Sequence, residues 1–503
     1  AIITDNVWRI ARENMGYSVP IGQPLMLMLA GQPFIDTRLS FHSYLPKTIS
    51  PAVAEKLVDH WVARLSISPE SHDKIEFDIA ITAYSFDIDN KIECLIGDAL
   101  SAKEKSDFKR AHLAHTRTLI KGECNGSVSI AMDMINALKQ KQQFSPSGNI
   151  SSLFTMLDEC ITLGTVPFSI LARHGFIAKT ILLSLENLKV ITMTEVNQIQ
   201  ASVQTVASDL INDMNSLKKG KLKQNEFMDR YGHLRPGTYD IMSPRYDQVF
   251  DLIVGSMSGT LKQDSSNFHF SIEQLHQINN LFQKAGFDGF TAEDFLNYVR
   301  EAIVAREYAK FIFTRSVSDI LEEIAIFAKN NELSRDEISH VPVEILLSTM
   351  KSSSESNIEE RLRKVSEREK ELHDISIATR LPQLLVNLED IYIVPFQVSH
   401  PNFITQKKIT ASCIFIGSGF EKTSLNGKVV IIEGADPGYD WIFSQKISGL
   451  ITKYGGANSH MAIRCAEFAI PAAIGCGDQR FTELITANRV HLDCAAGLIN
   501  SIY

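Results

Sequence analysis

The chain has no excess of positive charge. Fifty Lys and Arg stand against 59 Asp and Glu, for a net charge of −9. That balance offers no basic surface for nucleic acid. No apolar run approaches the roughly 18 residues that cross a membrane, and no signal peptide is visible. The reading is therefore of a protein with no nucleic-acid partner and no membrane partner. Cysteine is sparse: seven residues, an odd number, with no C-x-x-C or C-x-x-H spacing. This argues against a disulfide framework or a metal site and for reduced thiols in a cytoplasmic protein. Cys465 and Cys476 read as small apolar groups. There is no Walker motif and no Gly-rich phosphate loop. The chain opens AIITDNVW without an initiator methionine, which reads as a fragment or a processed piece. What is present is core-forming material: 44% hydrophobic residues in 503, enough for about three domains on the usual length prior.

The densest chemistry lies in Gly455–Gly475, GGANSHMAIRCAEFAIPAAIG. Gly455 and Gly456 can take positive φ and bring a backbone close to a ligand. Asn458 and Ser459 are N-cap residues, so a helix is expected to start at or just before His460 and to run to about Phe468. An imidazole then stands over free N–H groups at a positive dipole end, where a phosphate is stabilised. A histidine there can attack phosphorus, and the same helix end can bind what it receives. A plain capping histidine is the alternative. Arg464, one turn on, either assists His460 or pairs with Glu467 at i+3. Val429–Glu433, Gly449–Thr452 and Ile470–Ile474 read as short buried strands, and Trp441–Gln445 as a short helix.

Upstream, Ile2–Tyr17 and Pro51–Ile67 read as helices. Phe34–Phe41 and Lys74–Ala83 alternate like strands, and Ser85–Ile96 reads as a third. Asp36 and Arg38 would share a face, as a buried pair or with the arginine awaiting an anion. From Ser101 to about Asn387 helices dominate: Met132–Gln142, Ser151–Leu163, Val166–Leu185, Thr194–Leu217, Ile272–Ala285, Thr291–Ala328 and Arg335–Met350. Arg173 and His174 interrupt an apolar helix, as an ion pair or a pocket. The loop Arg230–Asp240 crowds His233, Arg235 and Asp240 together; it is either a helix-ending turn or an anion site. A polar break at Ser352–Ser356 and a capping box from Ser356 to Glu359 open a charged helix suited to a spacer. The expected class is α+β: a mostly helical acceptor domain with a small N-terminal sheet (1–350), a helical linker (351–390) and a C-terminal α/β domain (391–503).

The stretch Asp436–Gly475 resembles the phosphohistidine (swivelling) domain of the phosphoenolpyruvate-utilising, dikinase-type family. The matching positions are Gly455, Gly456, Ser459, His460, Ala462, Ile463, Ala466, Glu467, Ile470, Pro471, Ala472 and Gly475. The resemblance implies that His460 carries a phosphoryl or pyrophosphoryl group, with Gly455, Gly456, Ser459 and Arg464 around the phosphate. Pyruvate dikinases usually have Thr where this chain has Asn458. The order of domains is similar to rifampin phosphotransferase and to the glutamine kinase of capsule phosphoramidate synthesis. That likeness implies ATP and Mg²⁺ bound on an N-terminal ATP-grasp domain outside this chain, and a small polar acceptor, best matched by the amide of L-glutamine. Asp36, Arg38, Arg173, His233, Arg235 and Asp240 are the candidates to hold it. A rifamycin phosphotransferase, a phosphoenolpyruvate synthase-like enzyme and a phosphocarrier without a small-molecule acceptor are the alternatives.

Overall fold

A computed structural model describes residues 6–503 apart from 21–23, 143–147, 149–150, 252–267, 350–356, 380, 393–399, 418–423 and 457–458. The expected polar break at 352–356 and the expected cap at Asn458 lie outside the described residues. The fold is α+β. A helical body comes first, and a seven-stranded sheet forms the C-terminal part.

Two long helices form the spine of the helical body. One is Ala292–Asn330, opened by a capping box between Thr291 and Asp294. The other is Val166–Asn187, which continues Ser152–Cys160 through a π-helical turn at Ile161–Thr165. Together Ser152–Asn187 are long and apolar enough by composition to cross a membrane, contrary to the expectation of no such run, but most of that window is buried inside the fold. A helix apolar all round belongs in a core. Helix Ala292–Asn330 departs from that rule in one way: Glu307, Asp319, Glu322 and Glu323 are buried along it.

Several local expectations are corrected. Phe34–Phe41 is not one strand. A hairpin of β1 (Met26–Leu29) and β2 (Gln32–Ile35) ends at Asp36, which caps helix Thr37–His42 by accepting from Leu39 N at 3.0 Å. Lys74–Ala83 contains a π-helical turn, Ile75–Ile79, and Ser85–Ile96 holds helix Ile88–Leu95. Here alternation was misleading because tertiary packing outweighs weak β propensity in short segments. Thr194–Leu217 is two helices, Met193–Ala201 and Val206–Lys218, and Arg335–Met350 divides into Arg335–Ser339 and Val343–Thr349. The linker helix Ile358–Ala378 is capped by Asn357; Ser356, where the capping box was expected, lies outside the described residues. It packs on the body through Leu362 and through Ser366, which donates to Glu337 O at 2.6 Å.

The C-terminal sheet runs β3 (Asn402–Ile404), β7 (Ala472–Ile474), β6 (Gly449–Thr452), β5 (Val429–Ile432), β4 (Lys408–Ile416), β8 (Arg489–Asp493), β9 (Leu498–Ile502). β4, β5, β6 and β7 pair in parallel; β3, β8 and β9 pair antiparallel. β5 and β6 are buried at every position, as expected of parallel strands covered on both faces.

The sheet shares one apolar core with helices Val206–Lys218 and Gln224–Tyr231. Leu210, Met214, Phe227 and Tyr231 pack with Val430, Ile432, Trp441 and Met461. Gly438 seats the contact. A Cβ there would lie 1.6 Å from Arg235 O, so only glycine lets the two backbones meet. Tyr246 Oη donates to Gly438 O at 2.8 Å.

Candidate active site

The loops after β5, β6 and β7 converge beyond the carboxyl ends of these strands, where open parallel sheets bind ligands. Gly455 has φ of +124°, and a Cβ on Gly475 would stand 2.3 Å from Gly455 O. Ser459 caps helix His460–Glu467, its hydroxyl accepting from Ala462 N at 3.4 Å. His460 is therefore the first residue of the helix, as its flanking residues predict.

The ring of His460 is buried and held at both nitrogens. Nδ1 lies 2.7 Å from Glu307 Oε2 on helix Ala292–Asn330, and Nε2 lies 2.7 Å from Asp440 Oδ1 in the 3-10 turn after β5. Burial pushes the Glu307 carboxyl up, but the hydrogen bond and charge of His460, with Arg464 and Arg306, hold it well below the usual carboxylate range. Glu307 is thus an anion in the core, which is tolerated only with such partners. Lys310, one turn on, is lowered by burial, with Glu307 and Asp436 opposing that shift. A cavity of about 10 Å³ remains between His460, Asp440, Glu307, Lys310, Leu234 and Phe311, room for about one water.

Arg464 is a strut between the two parts of the molecule. It pairs with Glu467, donates to Thr205 Oγ1, and reaches Glu307 Oε2 from Nη2 at 3.0 Å. Of the two readings of Arg464, assistance to His460 or a pair with Glu467, the structure shows the pair. Glu467 also accepts from Thr205 Oγ1 at 3.2 Å and from Ser208 Oγ, at the N-terminus of helix Val206–Lys218, where the helix dipole favours an anion.

The six proposed acceptor residues are not brought together. Asp36 is a helix cap, and Arg38 pairs with Asp59 at the surface, 2.6 Å away. Arg173 is buried against Tyr17 Oη, Glu76 and the Thr82 carbonyl, so of its two readings the ion pair is the one seen. His174 donates from Nε2 to Gly126 O at 2.8 Å and accepts from Tyr298 Oη at 2.9 Å, and burial lowers it to about 4. His233 is buried edge-on against Phe311 at 4.8 Å and stays neutral, pushed far down by burial and then by Arg315 and Arg245. Arg235 bonds Ser318 and Glu322 on the long helix and the carbonyls of Asp240 and Ser243. Asp240 caps its own turn, accepting from Met242 N at 2.8 Å. The loop read as either a helix-ending turn or an anion site is where the sheet meets the helical body, Gly438 lying against Arg235 O.

Sequence reasoning missed Glu307 and Asp440, and with them Arg306 and Lys310. One signal was present: the run Ala305-Arg-Glu-Tyr-Ala-Lys310 sets three charges into a long apolar helical pattern, as Arg173-His174 does.

The fold and site define a small α/β domain that presents a histidine at a helix N-terminus, seated on a helical body by buried ion pairs. Residues 425–497 match the family model described as "PEP-utilising enzyme, mobile domain", so this part of the chain is similar to the mobile domain of phosphoenolpyruvate-utilising enzymes. Similar curated proteins are phosphoenolpyruvate synthases. That of Synechocystis sp. is 38% identical over 77 residues, 15% of this chain and 9% of that protein. That of Escherichia coli is 34% identical over 77 residues, 15% of this chain and 10% of that protein. That of Neisseria meningitidis serogroup B is 35% identical over 78 residues, 15% of this chain and 9% of that protein. The match therefore spans about a tenth of these relatives and leaves the helical body outside it.

ATP and Mg²⁺ do not fit the residues around His460. The cavity there is about 10 Å³, and among the described residues no group of three or more His, Cys, Asp or Glu is set to hold a metal ion.

Proposed function

We propose that the chain is the acceptor and mobile part of a phosphotransferase that works through a phosphoryl group on His460. In this reading residues 1–350 are the acceptor domain, 351–390 the linker and 391–503 the swivelling domain. The observation that carries it is the seating of His460 against Glu307, Lys310 and Asp440 at the junction of the two parts. A ring nitrogen must give up its carboxylate before it can carry phosphorus; the other carboxylate then keeps the ring oriented. In transfer, the N–P bond breaks with its electron pair staying on the imidazole. A bond from the acceptor's nucleophile to phosphorus forms, and the nucleophile's proton passes to the imidazole nitrogen that the phosphoryl group leaves. Lys310 and the N–H groups at the start of helix His460–Glu467 face the spreading negative charge, which is where most of the catalysis in such a transfer lies.

The donor on this reading is ATP with Mg²⁺, held by an ATP-grasp domain of the same protein. The acceptor is small and polar, and the amide nitrogen of L-glutamine is the first to test, with a rifamycin as its rival. The test is intact-mass and tandem mass spectrometry of the full-length protein after Mg-ATP, beside His460→Ala. An acid-labile phosphate or pyrophosphate on His460, absent from the variant and removed by glutamine, is expected. A wild-type protein that takes no phosphate at His460 would overturn the proposal. Phosphate discharged by a rifamycin but not by glutamine would replace the acceptor.

A further inference from the structure

His460 stands between two carboxylates that belong to different parts of the molecule. Asp440 sits in the turn after β5, on the same small domain as the histidine, and Glu307 sits on helix Ala292–Asn330 of the helical body. Each carboxylate oxygen is 2.7 Å from a ring nitrogen, so a proton lies on each contact, whichever atom carries it. A neutral imidazole brings one N–H and a carboxylate brings none. The closed arrangement therefore holds one proton more than a neutral histidine facing two carboxylates, and neither ring nitrogen has a free lone pair. The other charged groups around the ring are Lys310 and, behind Glu307, Arg306 on the long helix; Asp436 before Pro437; and Arg464 and Glu467 on the histidine's own helix.

The same seat has no place for a phosphoryl group. The cavity beside the ring is about 10 Å³, whereas a phosphoryl group brings three oxygens and negative charge. On Nε2 it would meet Asp440, and on Nδ1 it would meet Glu307. The Gly-Gly turn is covered as well. A Cβ on Gly456 would stand 3.9 Å from Asp73 O and 4.0 Å from Asp73 Oδ2, and Asn402 Nδ2 donates to that carboxylate at 3.1 Å. An anion brought this close to carboxylates in a buried place is repelled strongly.

We propose that this closed seat is a latch for the discharged histidine. It forms with a proton on both ring-nitrogen contacts and cannot form while His460 carries a phosphoryl group, so charging opens the junction and discharge lets it close. Transfer takes place in a wider seating, with one carboxylate still on the ring. The latch rests on the phosphohistidine reading for the group it excludes, but not for its proton count. Closing takes up one proton, so the closed-to-open ratio falls about tenfold per pH unit above the ordinary histidine range.

The test uses the full-length protein with spin labels on helix Ala292–Asn330 and on β9, which report that ratio. Between pH 7 and pH 8.5 the wild type is expected to open with about this slope. His460→Gln, which has no titrating ring, is expected to close less at pH 7 and to show no such slope. Any contribution from Lys310, whose ammonium burial lowers, is common to both proteins and cancels. His460→Glu sets a third carboxylate between the first two and is expected to be open at every pH, with a ratio at least tenfold below that of His460→Gln. A wild type that stays closed from pH 7 to pH 8.5, an equal slope in His460→Gln, or a His460→Glu that closes as fully as His460→Gln would each overturn the latch. Failure of His460 to take phosphate from Mg-ATP would sink the phosphotransfer reading and leave the proton-dependent closure standing on the pH series.

Discussion

Replacing Gly438 by alanine tests the docked arrangement at its tightest point. The new Cβ would fall 1.6 Å from Arg235 O, 2.1 Å from its carbonyl carbon and 2.6 Å from Pro236 N. These are backbone atoms, and Arg235 itself is pinned to Ser318 and Glu322 on the long helix, so neither side can swing away as a side chain would. Overpacking of this kind costs about 1–3 kcal/mol. Loss of the Tyr246–Gly438 hydrogen bond adds about 1 kcal/mol. A total near 3 kcal/mol lowers the docked population relative to the open one by on the order of a hundredfold. The substitution touches no group at His460, so its effect there must come through docking. The assay is an interdomain distance, from spin labels on helix Ala292–Asn330 and on β9, with hydrogen exchange in helix His460–Glu467. The expected result is a longer and broader distance distribution and faster exchange in that helix. Unchanged distances and exchange would refute the reasoning, because the backbone contact through Gly438 could not then be what seats the sheet.

Other substitutions probe the same junction. Glu467→Gln weakens the tie to Arg464, Thr205 and Ser208; breaking a buried pair costs about 3–5 kcal/mol, and the same distance measurement should show opening. Arg235→Met leaves Glu322 with Arg335 and Gln248 and is expected to release the 232–248 segment, seen as faster exchange there by at least tenfold. Docking should also resist mild acid. Glu307 is depressed in the fold, so its contribution is fully present above the ordinary glutamate range and is lost only as pH falls through the lower folded value. In Glu467→Gln, where the carboxyl raised by burial no longer titrates, interdomain distances that do not lengthen from pH 7 to pH 5 are expected, and further opening at pH 5 would contradict that sign. Arg173→Met should destabilise the N-terminal part by about 3 kcal/mol, measured by thermal unfolding, because Glu76 loses its buried partner.

The segments that could be read correctly were those whose structure is local. Val429–Ile432 and Gly449–Thr452 are short, apolar at every position and bounded by turn residues, so their strand character needs no partner to be recognised. Ser459 and His460 carry the helix start in their own side chains. Pro51–Ile67, with Ser50 as its cap and Pro51 at its first turn, was legible for the same reason. The failures lie where a short sequence has two acceptable local states. Phe34–Phe41 alternates like a strand, yet Asp36 caps a helix once the β1–β2 hairpin has placed it. Arg235 looked like a ligand-binding arginine, since a sequence cannot say which acceptors will surround five N–H donors.

The sequence by itself determined that a histidine stands at the head of a helix behind a Gly-Gly turn, because glycine freedom, capping and strand burial act within some 25 residues, roughly the reach of one βαβ unit. Only the tertiary structure decided what that histidine faces. Glu307 lies 153 residues away in the chain and Asp440 lies 20 away across β6. Their meeting depends on Gly438 closing onto Arg235 and on Glu467 reaching Ser208. Contacts of that separation are selected by the packing of whole elements, and no local pattern encodes them.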